Sequence, residues 1–506
     1  MEFAQVLIGK KENPREMSGA VAGEHANHLK GLFNSVPFLV VATVASRLPF
    51  LALGYGADGD AWRVARSAKT LWHDGIYAPS RFPGFPLYEM INAPIIGPGG
   101  SLASNIATLI VFILAVLLFR EIVRRMQIPS GNILVWTFAF MPILWKNSTS
   151  TMDYIWGLAL LLLAYLVFFK GNKYAAALII GLAAATRLTH CIFVLPLFFL
   201  LEKEHRWKTI TWMGLTTAAT VCVCYLPVIL RPAYIGDLQF YIADIRHYTV
   251  LQMTAFFLYR GTYAFGLIGV LAIIALTALS VKNIAAMVDS RNRYFLVCIT
   301  AIILFAIVFF PVADEKEYVI PVIPFLLILI GLVFRRKFVV ISCVCLLSYS
   351  FINVDLIAHG FRTQRFQPAV TQGFVVKDHF DRTKVFAVRE RFSNYPYADS
   401  SIVMIAMGPQ FYLENPYIRH TSEEEKMFAE RTPSGGVDMK NIYPLKDVSR
   451  LVSRPVYFVY AMSAPECLSF KKMGFHVFYI KESKSYIESC VGYDLDSVSS
   501  PIDISL

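Results

Sequence analysis

Residues 54–89 read GYGADGDAWRVARSAKTLWHDGIYAPSRFPGFPLYE, directly after an apolar run over 36–53. Two carboxylates, Asp58 and Asp60, fall within about two helical turns of the end of that run. Arginines, tryptophans and a Pro/Gly-rich segment follow. An acid pair at a water–lipid boundary, in a chain with many apolar runs, points to chemistry on a lipid-borne substrate. The two acids diverge if the segment is helical and share a side if it is extended. A carboxylate in such a half-dry place has a raised pKa and can take a proton from an incoming hydroxyl. The alternative role is capping: either acid suits the start of a helix over AWRVARSAKTLWHDG. That helix would carry Val64, Ala68 and Leu71 on one side and Arg63, Arg66 and Lys69 on another, the pattern of a helix lying in the interface. Its arginines either snorkel or bind a lipid phosphate, with Arg63 as the candidate, because guanidinium forks match phosphate oxygens.

Outward from that loop the chain stays apolar. Of 506 residues, 56% are hydrophobic and only 16% are charged, and the mean hydropathy is +0.52. A soluble chain of this length needs more polar surface. Apolar segments recur at 36–53, 101–119, 131–145, 152–169, 174–186, 188–201, 208–229, 254–280, 294–312, 318–334 and 338–358. The expected fold is therefore a polytopic α-helical membrane protein with about 11 membrane segments. The stretch 174–201 is too short for two full α-helical crossings and is read as a hairpin reaching partway. Basic groups cluster in alternate connections: Arg120, Arg124 and Arg125; Lys170 and Lys173; Lys203, Arg206 and Lys208; Arg335, Arg336 and Lys337. Placing these in the cytoplasm puts the N-terminus inside and residues 54–100 outside, as the first outer loop. No cleaved signal peptide is expected. The net charge of +11 fits anionic headgroups, and no basic stripe with stacking aromatics suggests nucleic acid.

The composition turns polar and mixed near residue 359. The boundary divides a membrane domain, 1–358, from a small extracytoplasmic α/β domain, 359–506, with strands expected at 385–388, 401–407, 456–460 and 475–480 and a helix at 467–473. Six cysteines lie in apolar segments as packing residues. Cys467 and Cys490 lie in the tail, where they either pair or remain free thiols. Cys222 and Cys224 lack the spacing and histidine company of a metal site.

Other charges stand at membrane depth, where they are costly and are functional candidates by default. Arg187 interrupts the short hairpin, and Arg47 closes the first segment or snorkels outward. Asp153 opens the fourth segment, as a functional acid or as an acid favoured by the helix dipole. It follows Asn147-Ser148-Thr149, which is also a glycosylation sequon. Asp314-Glu315-Lys316-Glu317-Tyr318 runs into a segment carrying Pro321 and Pro324. These charges either mark a loop or bring Lys316 to an anionic substrate. Residues 231–253, with Arg246, His247 and interleaved tyrosines, form a candidate lid, and Arg260 follows.

In this order the parts resemble the glycosyltransferase-C (GT-C) superfamily, over about residues 36–358. The matching features are Asp58-Gly59-Asp60 after the first segment, RFPGFPLYE at 81–89, Asp153, the GLAAATRLTH stretch around Arg187, and Tyr318-x-x-Pro321-x-x-Pro324. Two positions differ from the common pattern: many members have Asp-Glu where this chain has Asp-Gly-Asp, and Arg where this chain has Glu317. The resemblance implies transfer of a sugar from a polyprenyl-phosphate donor to a hydroxyl of a glycan, lipid or protein acceptor. Transfer would take place on the extracytoplasmic or lumenal face of a cell or ER membrane, with inversion. Asp58 or Asp60 would be the general base. Arg187, Arg246, Arg260, Lys316 or Arg63 would hold the phosphate, with Asp153, His247, Tyr318 and Glu317 also in the site. No metal or other cofactor is expected, because the lipid phosphate leaves already ionised. A glycan polymerase or ligase remains the nearest alternative. A lipid or solute transporter would show two related halves, which the sequence lacks.

Overall fold

The computed structural model describes residues 31, 33–232, 234–236, 238–239, 249–313, 315–358, 365–393, 402–405, 456–459 and 476–478. Two compact units are present, Met1–Leu48 and Pro49–Leu506. In the first, Ser35 caps α1 (Val36–Arg47), whose first residues include a proline. Arg47 turns back on its own helix, donating to the Thr43 carbonyl at 3.3 Å and to Ser46 Oγ at 2.8 Å.

The second unit is built from helices that run nearly end to end. After α2 (Gly59–Asp74) comes α3 (Pro86–Arg125), which carries a break at Gly100. The loop expected to end near residue 100 therefore ends at Phe85, because Pro86 can open a helix that needs no N–H there. Next are α4 (Gly131–Phe140) and the short α5 (Pro142–Asn147), separated at Met141, then α6 (Tyr154–Phe169) and α7 (Lys173–Thr186). Arg187 is extended, and Leu188–Leu200 continues as a 13-residue 3-10 helix. At a rise of about 2.0 Å per residue such a helix reaches about 26 Å, farther than an α-helix of the same length. Then follow α8 (Arg206–Ile229), α9 (Val250–Phe265), α10 (Leu267–Leu279), α11 (Val281–Asp289) and α12 (Arg293–Phe309). A 3-10 segment, Lys316–Val322, leads into α13 (Ile323–Val333), and α14 (Arg336–Ser348) completes the helical set.

Helix fills most of ten of the eleven apolar segments and the first half of the last, so the chain is polytopic and α-helical. Four of the described helices are long and apolar enough to cross a membrane: Pro86–Arg125, Arg206–Ile229, Arg293–Val312 and Lys316–Val333. The expected single crossing at 254–280 is instead α9 and α10, bent by 96°. Gly266 makes the bend: its φ is +73°, and a Cβ there would lie 2.7–2.9 Å from the Tyr349 side chain.

The last segment also differs from expectation. Its second half is not helix but β1 (Ile352–Ala358), paired antiparallel with β2 (Arg365–Gln372). The expected strand at 385–388 lies inside α15 (Phe374–Ser393). A four-residue apolar run does not distinguish strand from helix. Burial of Phe374, Asp378, Arg382 and Val385 at intervals of four and three residues shows which period won. Beyond it, β3 (Ile402–Ile405), β4 (Val456–Val459) and β5 (His476–Phe478) form a parallel sheet in that order, where strands were expected. The expected helix at 467–473 and both tail cysteines lie outside the described residues.

Candidate active site at converging helix ends

The N-terminal ends of α3, α6 and the Lys316 helix meet the C-terminal end of α5 and the start of α2. Local sequence explains the meeting. Asp58 caps α2, accepting from the Asp60 amide at 2.9 Å. The apolar face of α2, including Trp62, Val64, Ala65 and Ala68, is buried. The chain before it is pinned by Asn105 of α3, which donates to the Leu51 and Gly54 carbonyls at 2.8 and 2.7 Å. The loop after α2 is organised by Glu89. This buried carboxylate accepts from the Tyr77 hydroxyl at 2.5 Å and the Ser80 amide at 2.9 Å. That fold carries Arg81 inward.

Arg81 is the centre of a chain of ion pairs. Its guanidinium lies 3.4 Å from Asp60 Oδ2 and 2.9 Å from Asp153 Oδ1. Asp60 also receives Arg63 at 2.8 Å, and Asp153 receives Arg187 at 2.7 Å. Three guanidiniums thus alternate with two carboxylates. Arg187 also lies over the rings of Tyr154 and Tyr318, 4.0 and 4.6 Å from their centroids. Asp153 begins α6 without making a cap hydrogen bond, so its oxygens serve the arginines.

Asp58 faces a different group. It lines a small cleft with Gly56, Ala57, Lys146, Asn147, Ser150, Met152, Tyr154 and Glu317. Lys146 Nζ lies 3.0 Å from Glu317 Oε1. Glu315 accepts from the Tyr154 hydroxyl and shares a hydrogen bond with Asp60. Lys316 Nζ sits 4.5 Å over the ring of Tyr263 and 4.6 Å over that of Phe374.

The two motif aspartates consequently differ in proton affinity. Burial, then the charge of Asp60, pushes Asp58 above the usual carboxylate range, with Lys146 opposing. Burial also pushes Asp60 upward, but Arg81, Arg63 and the Glu315 hydrogen bond outweigh it and leave Asp60 below its ordinary value. Burial and the charges of Asp58 and Asp60 raise Glu315 to about 8.

Asp58, Asp60, Arg63, Asp153, Arg187, Lys316, Glu317 and Tyr318 are thus gathered at one end of the helices. Arg260, on α9, is not in the ion-pair chain; its charge bears on Lys316, and its Nε is buried with no hydrogen-bond partner among the described residues. Arg246 and His247 lie outside the described residues. The sequon does not present itself for modification: Asn147 is buried and donates to the Ile143 carbonyl at 2.8 Å.

Sequence reasoning missed Arg81, Lys146, Glu315 and Arg382 as site residues. Arg81 stood between Pro79 and Pro83, a rigid setting that could have marked it. Lys146 was not singled out, and Glu315 was read as one charge among several. Arg382 carried no signal.

No protein-family model matches this chain, and no curated protein matches it. Among solved structures the chain is similar to the oligosaccharyltransferase of Archaeoglobus fulgidus, tethered in its crystal to an acceptor peptide, at 10% identity and a TM-score of 0.41. The likeness covers 79% of this chain, which spans only 65% of the length of that one.

Proposed function

We propose that the chain is an integral-membrane glycosyltransferase that uses a polyprenyl-phosphate sugar on the extracytoplasmic face, with Asp58 as general base. The carrying observation is the contrast within Asp58-Gly59-Asp60. Asp60 is held by two guanidiniums, at 2.8 and 3.4 Å. Asp58 lines the cleft opposite Lys146, with a raised proton affinity. A general base works best when its pKa lies near the working pH, and Asp58 is shifted in that direction.

The donor's tail would lie among the helices and its phosphate at their converging ends. As the acceptor hydroxyl attacks the anomeric carbon, its proton passes to Asp58. The bond from that carbon to the phosphate oxygen breaks, and its electron pair leaves with the lipid phosphate. A single displacement inverts the anomeric centre. Negative charge growing on the phosphate oxygen is stabilised by cations, with Lys316, Arg260 and Arg187 as candidates among the described residues. Arg187 and Arg63 already serve Asp153 and Asp60, so Lys316, set over aromatic faces, is the better placed of these. The leaving group is ionised throughout, and the reading requires no metal.

The test is turnover of a polyprenyl-phosphate sugar by purified protein in chelator, with Asp58→Asn and Asp60→Asn assayed separately. Product of inverted configuration, lost in Asp58→Asn, is expected. Undiminished turnover by Asp58→Asn overturns the assignment of the base.

A further inference from the structure

The side of the cleft opposite α2 is the connector Lys146–Thr151, which begins in the last turn of α5 and runs on past it. It belongs to the helical region in sequence, yet it is held from behind by α15, more than 230 residues later. Arg382 of α15 is fully buried. One terminal nitrogen donates to the Thr149 carbonyl at 2.9 Å and the Phe50 carbonyl at 3.3 Å. The other donates to Ser150 Oγ at 2.8 Å, Thr149 Oγ1 at 3.1 Å and the Lys146 carbonyl at 3.5 Å. Its Nε is paired with Asp378, one turn earlier, at 2.9 Å.

A guanidinium so engaged fixes a direction as well as a distance, because its donors lie in one rigid plane. The start of α15 is equally constrained. The Phe374 amide bonds the Tyr349 carbonyl at 2.9 Å. A Cβ on Gly373 would fall 2.3–2.5 Å from the backbone of Phe351 and Ile352. The connector's other face presents Lys146 and Ser150 to the cleft that holds Asp58. One buried arginine therefore joins the C-terminal segment to the wall of the site.

We propose that Arg382 is a positioning residue: by gripping residues 146–150 from α15, it sets Lys146 against Asp58 and makes the C-terminal segment part of the reaction site. This rests on the reading of Asp58 as the base. Lys146 is the cation facing Asp58, against the carboxyls of Asp60 on α2 and of Glu315 and Glu317 at the start of the Lys316 helix. A connector that drifts takes that positive charge away.

The test uses the full chain in lipid nanodiscs. Arg382→Lys keeps the charge and loses the planar fork; a Thr149→Val, Ser150→Ala double variant removes the hydroxyl acceptors from the other side. Three quantities are read: amide exchange over 147–151, kcat and KM separately, and the acid limb of the kcat profile. In Arg382→Lys, exchange over 147–151 should rise about tenfold, as for a segment released locally. Its kcat should fall about 10- to 100-fold with KM nearly unchanged, the size expected when a catalytic arrangement is displaced by about 1 Å. The acid limb should move to higher pH, because Asp58 loses its facing cation. A merely structural tie would lower the folded fraction and leave that limb in place. Wild-type exchange, or a wild-type limb and kcat per folded molecule, overturns the proposal. If Arg382→Lys does not fold, the double variant is judged by the same criteria. Asp58→Asn, measured alongside, keeps the two ideas apart. Retained turnover there sinks the general-base reading, whereas exchange over 147–151 still reports whether Arg382 holds the connector.

Discussion

The cleft has two sides that treat charge differently. On the arginine side, Asp60, Arg63, Arg81, Asp153 and Arg187 form one alternating chain with contacts of 2.7–3.4 Å. On the lysine side, Asp58 lines the cleft, Glu315 is raised to about 8, Lys146 shares Glu317, and Lys316 rests on aromatic rings. Charges locked in direct ion pairs are held by their partners and change little during a reaction. Charges outside such pairs, such as Asp58 and Lys316, remain able to respond to a substrate. Under the proposed function the first side is scaffold and the second carries proton transfer.

The largest expected effect is on the lysine side. Asp58→Asn keeps an oxygen for the Asp60 amide, so the cap survives while the base is lost. Turnover should fall about 10²- to 10⁴-fold, the usual contribution of a general base, with the thermal midpoint close to wild type. A large loss of stability with turnover per folded molecule intact would place Asp58 with the scaffold.

The next effect is its mirror image. Asp153→Asn leaves Arg81 and Arg187 buried without their shared carboxylate. Removing one partner of a buried ion pair costs about 3–5 kcal/mol. Reversible unfolding in mild detergent should register that loss. A change below about 1 kcal/mol, the scale of exposed pairs, would show that the arginines find other partners and would dissolve the contrast.

How much of this was legible depended on range along the chain. The apolar runs over 152–169 and 294–312 reported helices, because length and hydropathy are local properties of the chain. The acids of Asp58-Gly59-Asp60 were visible as a motif, and one of them does cap α2. Which acid is which was not visible, because Arg81 reaches Asp60 only once Glu89 has folded the intervening loop. The bend at Gly266 depends on the approach of Tyr349, more than eighty residues away. Arg382 was least legible: a lone arginine in a polar tail acquires meaning only when the connector beside Asp58 offers it two carbonyls and two hydroxyls.

A third prediction sharpens the lysine side through pH. Glu315 has a folded value near 8 against an ordinary 4.5. A carboxyl raised on folding binds its proton more tightly in the native state. Its stabilising contribution is therefore complete below about 4.5 and is lost as pH rises through about 8. Wild-type stability should decline across that window, and Glu315→Gln, which cannot ionise, should flatten the decline. Equal slopes for the two proteins would show that Glu315 is already ionised in the folded state at neutral pH and has no proton to share with Asp60.

The smallest effect belongs to the edge of the arginine side. Arg63 pairs with Asp60 at 2.8 Å across one turn of α2, but its side chain is 30% exposed. Water and salt screen such a pair, and pairs of this kind contribute about 0.2–1 kcal/mol. Arg81 continues to oppose Asp60 when Arg63 is gone. Arg63→Ala should therefore shift the unfolding free energy by less than about 1 kcal/mol, and the shift should shrink as salt is raised. The same substitution also tests the earlier assignment of Arg63 to a lipid phosphate, because loss of a phosphate ligand raises KM for the donor and leaves stability alone. An effect on stability as large as that of Asp153→Asn would mean that the chain is held from its exposed end, and Arg81 would no longer be its centre.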